Sequence, residues 1–405
     1  MSEAAAAAEF AARASYGRLL AILAARWRDV TRAEDALGDA LLAALETWPR
    51  TGVPDNPEAW LLTAARRRLV DGARHADVTT AAAADVGLLL EERGTDGMRP
   101  TFPDERLALL FVCAHPAIDE ASRTALMLQT VLGLDATRIA SAFLVAPSAM
   151  SQRLVRVKAK IREADIRFEV PERDALPARL DAVLEAIYAA YGSGWEDVAG
   201  ADPHRRGLTD EAIWLGRLVA GLLPDEPEAH GLLALMLHCE ARRSARRDEK
   251  GAYVPLGEQD VSRWSSALIN DAEALLAMAA RFGRPGRFQL EAAIQSAHAQ
   301  RAVGGETDWE SIALLYAGLL RHAPTLGVRV AHAAALVEAR GATRALEALD
   351  AIPLDSVAAY QPYWALRGHL FRGLGRAEDA RQSYDRAVGL SEDPAVRAFL
   401  LARRP

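Results

Sequence analysis

The chain has 405 residues, 51% of them hydrophobic and 25% charged, with a formal net charge of −7 at pH 7. This length exceeds one small core and predicts two or three domains. The negative charge argues against a protein that coats DNA by itself, so any DNA contact must be local or assisted. No stretch approaches the roughly 18 apolar residues of a membrane span, and we expect a soluble protein without membrane contact.

The N-terminal residues and the cysteines favour a cytoplasmic location for the protein. The first ten residues, MSEAAAAAEF, carry Glu3 and Glu9 where a secretory signal would carry Lys or Arg, which indicates the frayed start of a helix. The two cysteines, Cys113 and Cys239, lie in apolar helical context and outside any metal-ligand cluster. We therefore expect a cytoplasmic protein with no disulfide, no bound metal and no cofactor.

Residues 1–76 are predicted to form a first domain of three helices. The first helix repeats apolar residues at helical spacing. The second places Asp35 and Asp39 one turn apart, beside a stripe of leucines that begins at Leu37. This acidic edge could dock a basic partner, and the alternative is a solvated helix face.

The third helix is predicted to begin at Asn56, because Asn followed by Pro57 and Glu58 is a helix-start signal. Opposite its buried side it combines an aromatic residue with cations. Single-stranded or melting DNA requires this combination, since bases stack on the ring and phosphates pair with Arg. The alternative is a core tryptophan with arginines in surface ion pairs. The expected buried side is Leu62, Ala65, Leu69 and Ala73, and the opposite face with its borders is Trp60, Thr63, Arg66, Arg67, Arg68, Asp71 and Arg74.

Residues 77–104 are rich in Ala, Gly, Asp and Thr and are predicted to be a mostly flexible linker. The following domain, residues 105–168, ends in two helices separated by a tight corner. The first spans residues 135–143, and the second opens at Pro147, whose fixed φ suits a first helical position, and runs to Arg162. This arrangement predicts a helix-turn-helix.

The helix from Pro147 has the composition of a DNA-recognition helix, with an apolar stripe at Met150, Leu154, Val157 and Ile161. Short polar groups and Arg near its start can reach base edges, and Lys and Arg further along can neutralise phosphates. Periodicity alone leaves open an ordinary amphipathic pair with a solvated basic face. The candidate DNA-contacting residues are Ser148, Ser151, Gln152, Arg153, Arg156 and Lys158.

Residues 169–405 are predicted to form a C-terminal domain of paired helices, which makes the chain all-α. The last pair has tetratricopeptide-repeat spacing, with Arg367 at the usual leucine position. Stacked pairs of this kind provide a concave surface for peptides or other helices, and the alternative is a plain helical bundle. The residues at repeat spacing are Trp364, Gly368, Phe371, Gly375, Ala380, Tyr384 and Ala387.

Three segments occur in the order found in bacterial sigma factors: AEDALGDALLAALETWP, NPEAWLLTAARRRLVDGAR and the helix-turn-helix of residues 124–162. Over residues 1–170 the chain resembles the extracytoplasmic-function group of the sigma-70 family. Further segments, such as LLPDEPEAHGLLALMLHCEARRSAR, resemble the C-terminal tetratricopeptide-like extension of one subgroup. The resemblance implies that residues 1–76 are region 2 and residues 105–168 are region 4 of a sigma factor.

By this resemblance, the acidic helix belongs to the segment that binds the clamp helices of core RNA polymerase. The third helix would recognise and open the minus-10 element, and the helix from Pro147 would read the minus-35 element. Arg67 stands where the family's A-R-N motif commonly has Asn, so the family's promoter preference does not carry over there. The implied polymerase-binding residues are Asp35, Leu37 and Asp39, and the implied minus-10 residues are Asn56, Trp60, Thr63, Arg66, Arg67 and Arg74.

We therefore expect an RNA polymerase sigma factor that binds core enzyme and promoter DNA. As the subgroup implies, its C-terminal domain would regulate it, in response to a protein or a small molecule. The alternative is a stand-alone helix-turn-helix regulator or scaffold whose helical domain senses a ligand or partner. We do not expect an enzyme, because the nine histidines are scattered and the sequence has no Gly-rich phosphate loop, nucleophile elbow or His-Glu-x-x-His motif.

Overall fold

The computed structural model describes residues 3–27, 29–79, 102–143, 145–163, 169–195 and 203–405. Within these ranges the regular elements are helices, beside one isolated antiparallel bridge between Arg247 and Tyr253. The predicted all-α class is therefore confirmed. None of the described helices combines the length and the apolar composition that crossing a bilayer requires.

The chain folds as two units, Met1–Asp197 with Asp202–Leu222, and Val198–Ala201 with Leu223–Pro405. The first unit thus includes two helices that the sequence assigns to the C-terminal domain, and the four-domain division stays a prediction. Residues 80–101, which make up most of the predicted linker, lie outside the described residues. The helices of the first unit are α1 (Glu3–Trp27), α2 (Val30–Thr51), α3 (Pro57–Thr79), α4 (Glu105–Cys113), α5 (Glu120–Thr130), α6 (Ala136–Ala142), α7 (Pro147–Glu163), α8 (Pro177–Trp195) and α9 (Pro203–Leu222).

Side-chain caps fix where several of these helices begin. The Oδ1 atom of Asn56 accepts from the amide of Ala59 at 3.0 Å, which satisfies an amide that has no partner inside the helix. Asp135 caps α6 through the amide of Arg138 at 2.9 Å, and α7 starts at Pro147. The predicted starts of these three helices are confirmed.

Helices α1, α2 and α3 pack together through small residues. The face of α2 toward its neighbours consists largely of alanines, with Leu37 and Trp48 filling the remaining space. Because alanine lets helix axes approach closely, the leucines of α1 reach across and are buried. On α3, Leu61 rather than the predicted Leu62 lies fully in the core, and Leu62 is half-buried.

Residues 105–162 contact other helices of the first unit at several places. Helix α1 approaches the end of α5 so closely that a Cβ atom on Gly17 would lie 1.7 Å from the carbonyl oxygen of Val131. Elsewhere, Arg106 of α4 pairs with Glu211 of α9 at 2.5 Å and stacks 4.6 Å from the ring centroid of Trp214. Residues beyond 168 therefore complete the surroundings of α4.

The second unit is built from antiparallel helix pairs. In the last pair Gly368 lies against Tyr384, where a Cβ atom would come within 3.0 Å of the ring. Arg367 places its guanidinium 5.0 Å from the ring centroid of Phe371 and donates to Asp350 at 2.8 Å. The helices of this unit are α10 (Pro227–Ala241), α11 (Ser266–Ala280), α12 (Arg287–Ala299), α13 (Arg301–Gly304), α14 (Trp309–His322), α15 (Leu326–Arg340), α16 (Ala342–Asp350), α17 (Leu354–Val357), α18 (Gln361–Gly373), α19 (Ala377–Leu390) and α20 (Pro394–Arg403).

The close approach at Gly17 predicts opposite effects for two glycine substitutions in helices. Gly17→Ala should destabilise the chain by about 1–3 kcal/mol, because the new methyl group overlaps the Val131 carbonyl. Gly38→Ala should stabilise it by about 0.5–1 kcal/mol, because Gly38 lies within α2 and a methyl group there would meet no atom within 4 Å. Urea unfolding followed by circular dichroism measures both, and equal stabilisation by the two changes would contradict the packing of α1 on α5.

Candidate nucleic-acid interface

Helix α7 presents a polar face away from the core. Its predicted apolar stripe is confirmed, since all four of its residues are buried. Ser148, Ser151, Gln152 and Arg156 are exposed, and Val155 lies among them with 67% of its surface accessible. Hydroxyl, amide and guanidinium groups can bond base edges, and an exposed methyl-bearing residue can contact a thymine methyl group. The face is therefore chemically suited to a major groove.

Two of the predicted DNA-contacting cations are engaged within the protein. The Nζ atom of Lys158 lies 2.6 Å from Glu34 Oε1 on α2, with 21% and 18% of the two side chains exposed. Arg153 reaches the carbonyl oxygen of Ala121 at 3.5 Å. Lys158 is thus paired within the protein, which a helical wheel does not show because it does not include the neighbouring helix, and its contact with DNA stays a prediction.

Glu34 also accepts from a second group on α1. Burial, and after it the Glu34 carboxylate, raises the pKa of Tyr16 above its usual range, so the phenol stays neutral and donates to Glu34. One carboxylate thus joins Tyr16 of α1 and Lys158 of α7 to α2. Paired, half-buried charges of this kind are costly to separate without another partner for each.

Helix α3 carries the second candidate face. Trp60 is half-buried, and its ring meets that of Trp48 edge-on at 5.5 Å between centroids. Arg66, Arg67 and Arg68 are exposed. The surface-ion-pair alternative placed them with Asp71 and Glu58. Glu58 instead pairs with Arg18 at 2.5 Å and accepts from the Ser15 hydroxyl, and the alternative with Asp71 stays open.

The remaining predicted residues of this face have mixed placements. Thr63 is exposed and its hydroxyl donates to the carbonyl of Ala59 at 2.8 Å, while Asn56 is exposed and uses its side-chain oxygen as the helix cap. The side chain of Arg74 lies outside the described residues. Val70, which sequence reasoning missed, is 37% exposed. It follows Thr63 by seven residues, so the helical period places both on one face.

The acidic edge of α2 is exposed as an acidic and apolar strip. Asp35 and Asp39 are exposed one turn apart. The prediction of Leu37 as a docking residue is wrong, because none of its surface is accessible. The accessible leucines are Leu42 at 61% and Leu45 at 46%, and at about 100° per residue Leu42 falls beside Asp35. A strip of this kind suits a protein partner with basic and apolar groups.

The described residues contain no group of three or more His, Cys, Asp and Glu side chains that could hold a metal ion. Cys113, which the sequence places in a core, is buried beside Thr130 at 3.7 Å, and burial raises its pKa to about 12. A thiol with that pKa stays protonated near neutral pH and is a poor nucleophile.

Comparison with known proteins identifies the module that carries two of these faces. The sigma-70 region 2 family matches residues 12–78, and a family of unknown function (DUF6596) matches residues 179–280. An uncharacterized protein of Rhizobium meliloti (strain 1021) is 38% identical over 381 residues, which cover 92% of this chain and 89% of that protein. No solved structure matches the chain.

Proposed function

We propose that the chain, whose residues 12–78 match the sigma-70 region 2 family, is an RNA polymerase sigma factor of the extracytoplasmic-function group. Its region 2 would bind core enzyme and the minus-10 element, and its helix-turn-helix would read the minus-35 element. Members of the family are initiation factors rather than enzymes, so we assign no catalytic residues. The proposed place of action is the cytoplasm, where core polymerase and promoter DNA are found.

One observation carries this proposal. The module that matches region 2 exposes the acidic and apolar strip on α2 and, on α3, three arginines that follow the half-buried Trp60. A polymerase subunit must hold the enzyme and the melted DNA at the same time, which requires two chemically different faces on one rigid body. The strip provides the first, and stacking plus phosphate contacts provide the second.

The minus-35 assignment predicts the effect of two truncations on α7. Gln152→Ala or Arg156→Ala should each cost about 1–3 kcal/mol of promoter binding, since both side chains are exposed at the centre of the polar face. Promoter binding by the reconstituted holoenzyme measures the loss across a set of minus-35 variants. The control is Arg329→Ala, which removes the same positive charge as Arg156→Ala from an exposed position on α15, and it should leave promoter binding unchanged. Unaltered selection and strength in both α7 variants would refute the assignment.

The polymerase assignment predicts a charge-reversal effect on α2. Asp35→Arg combined with Asp39→Arg should weaken binding to core polymerase, because the new cations repel a basic docking surface. Both residues are exposed, so the fold should persist. A pull-down with core enzyme measures the loss, and Asp355→Arg combined with Glu392→Arg is the matched control. Undiminished binding by the folded α2 variant, together with operator binding in the absence of polymerase, would favour a stand-alone regulator.

The C-terminal unit is proposed to be a tetratricopeptide-like extension that transcription requires. The crossing of α18 and α19 at Gly368 and Tyr384 supports the repeat assignment, since small residues permit such close pairs. The end of the chain is folded back onto this unit: Asp393 pairs with Arg247, and the ring of Phe399 meets that of Tyr253 at 5.3 Å. These contacts of α20 support the proposal that it packs as part of the C-terminal unit.

Truncation tests whether the extension is required. Residues 1–222 end at the boundary of the first unit, and they retain α8, which packs on α5 and α6, and α9, which packs on α8 and α4. We expect transcription from a target promoter to be lost in this chain and reduced in a chain that lacks residues 394–405. Run-off transcription with core enzyme measures both, with circular dichroism as the check on folding. Full activity of residues 1–222 would overturn the requirement, and raised activity would indicate autoinhibition.

A further inference from the structure

The second unit contains an open-sided cavity of about 310 Å³ between α12, α14, α15 and α18. Trp309 and Tyr316 supply aromatic walls, and Ala331 and Ala334 leave the space between them. Most of the surface that lines the cavity is apolar. A cavity of this size and composition matches the lower range of small-molecule sites, which combine apolar walls with a few polar groups.

His298 lines the larger cavity and also a second, water-sized cavity of about 10 Å³. The polar side chains that line this smaller cavity include Trp264, His238 and Arg242. The Nε1 atom of Trp264 and both ring nitrogens of His238 are buried and have no hydrogen-bond partner among the described residues. A buried donor without a partner is destabilising by about 1–3 kcal/mol. Buried polar side-chain atoms are nearly always hydrogen-bonded, so these three atoms require an explanation.

The formal charge that lines the smaller cavity is positive. Arg242 donates to the neutral side chain of Gln295 at 2.5 Å and lies 3.6 Å from the sulfur of Cys239. Burial, and after it Arg242, lowers the pKa values of His238 and His298 to about 4, so both imidazoles are neutral at pH 7. The Glu273 carboxylate lies 3.6 Å from His238 Nε2, and it accepts from the Ser296 hydroxyl at 2.6 Å.

The Arg242 charge also affects Tyr316, which lines the larger cavity. Burial raises the pKa of Tyr316 to about 12; Glu291 adds to this rise and Arg242 opposes it. The Tyr316 phenol therefore remains a hydrogen-bond donor. Tyr316 lines the larger cavity, Arg242 and Trp264 line the smaller one, and His298 lines both. Glu338 is exposed on the wall of the larger cavity, where it would repel a carboxylate and so favour a ligand whose charge lies toward Arg242 instead.

We propose that the two cavities form one binding site for a small organic monoanion that has a planar apolar body and a carboxylate. The body packs between Trp309 and Tyr316, and the carboxylate points past His298 toward Arg242 and the indole N–H of Trp264. This inference deepens the proposed regulatory role of the C-terminal unit and rests on that role only for its biological consequence. The binding itself is independent of polymerase.

The test is calorimetric titration of the full chain with 1-naphthylacetate and with its neutral isostere, 1-naphthylacetamide. We expect the acid to bind roughly tenfold or more tightly than the amide, because only the acid meets Arg242 with an opposite charge. Arg242→Gln should remove this preference. Ala334→Trp should abolish binding of both compounds, because the exposed position faces the larger cavity and the indole would fill it.

The control is Ala317→Trp, an exposed position that lines a different cavity beside Leu314 and His332. It should leave binding unchanged, which also excludes a general effect of an added tryptophan. Equal affinities for acid and amide in the unaltered chain, no binding of either compound, or loss of binding in Ala317→Trp with retention in Ala334→Trp would each overturn the site.

Transcription assays separate this inference from the proposed function. If the acid binds as expected but transcription from the target promoter is unchanged by saturating acid, the site stands and the regulatory role fails. If transcription requires the C-terminal unit but neither compound binds, the regulatory role stands and the site fails.

Discussion

The arrangement of the first unit depends on the approach of α1 to the end of α5 at Gly17. A glycine at this point lets the helix backbone come into contact with the Val131 carbonyl, which no side chain would allow. The same approach brings the helix-turn-helix against the region 2 module, where Lys158 meets Glu34. The close backbone contact and this ion pair together join α1 and α2 to the helix-turn-helix, and the pair covers one edge of α7.

The covered edge has a consequence for how a promoter could be engaged. The exposed polar face of α7 is free of this contact, while the basic edge at Lys158 is bound to α2, close to the acidic strip proposed to hold polymerase. A partner that competes for Glu34, or that moves α2, would release Lys158 toward phosphate. Because separating a half-buried pair is costly, such a release would be coupled to binding energy supplied by polymerase or DNA.

Sequence reasoning located the helices and the faces of α7, since caps and Pro147 act locally and a period of 3.6 residues defines an apolar stripe. It did not predict which side chains are buried or paired by a neighbouring helix. Leu37 and Leu45 belong to one stripe by periodicity. The neighbouring helices pack closely against the alanines of α2, and this packing buries Leu37 but leaves Leu45 exposed. Val155 was missed because an apolar side chain on a polar face carries no periodic signal, and the partner of Lys158 lies 124 residues away.

The second unit shows how the same preference for small residues has two outcomes. Where alanine or glycine faces the neighbouring helix, as at Gly368 and Ala333, it permits close packing and is buried. Where alanine lies at the border of that contact, as at Ala334, no neighbour fills the space and a cavity remains. The aromatic walls keep this space from collapsing, since Trp309 is held edge-on against His298 at 5.3 Å. The small residues that let the helices pair therefore also leave the larger cavity open.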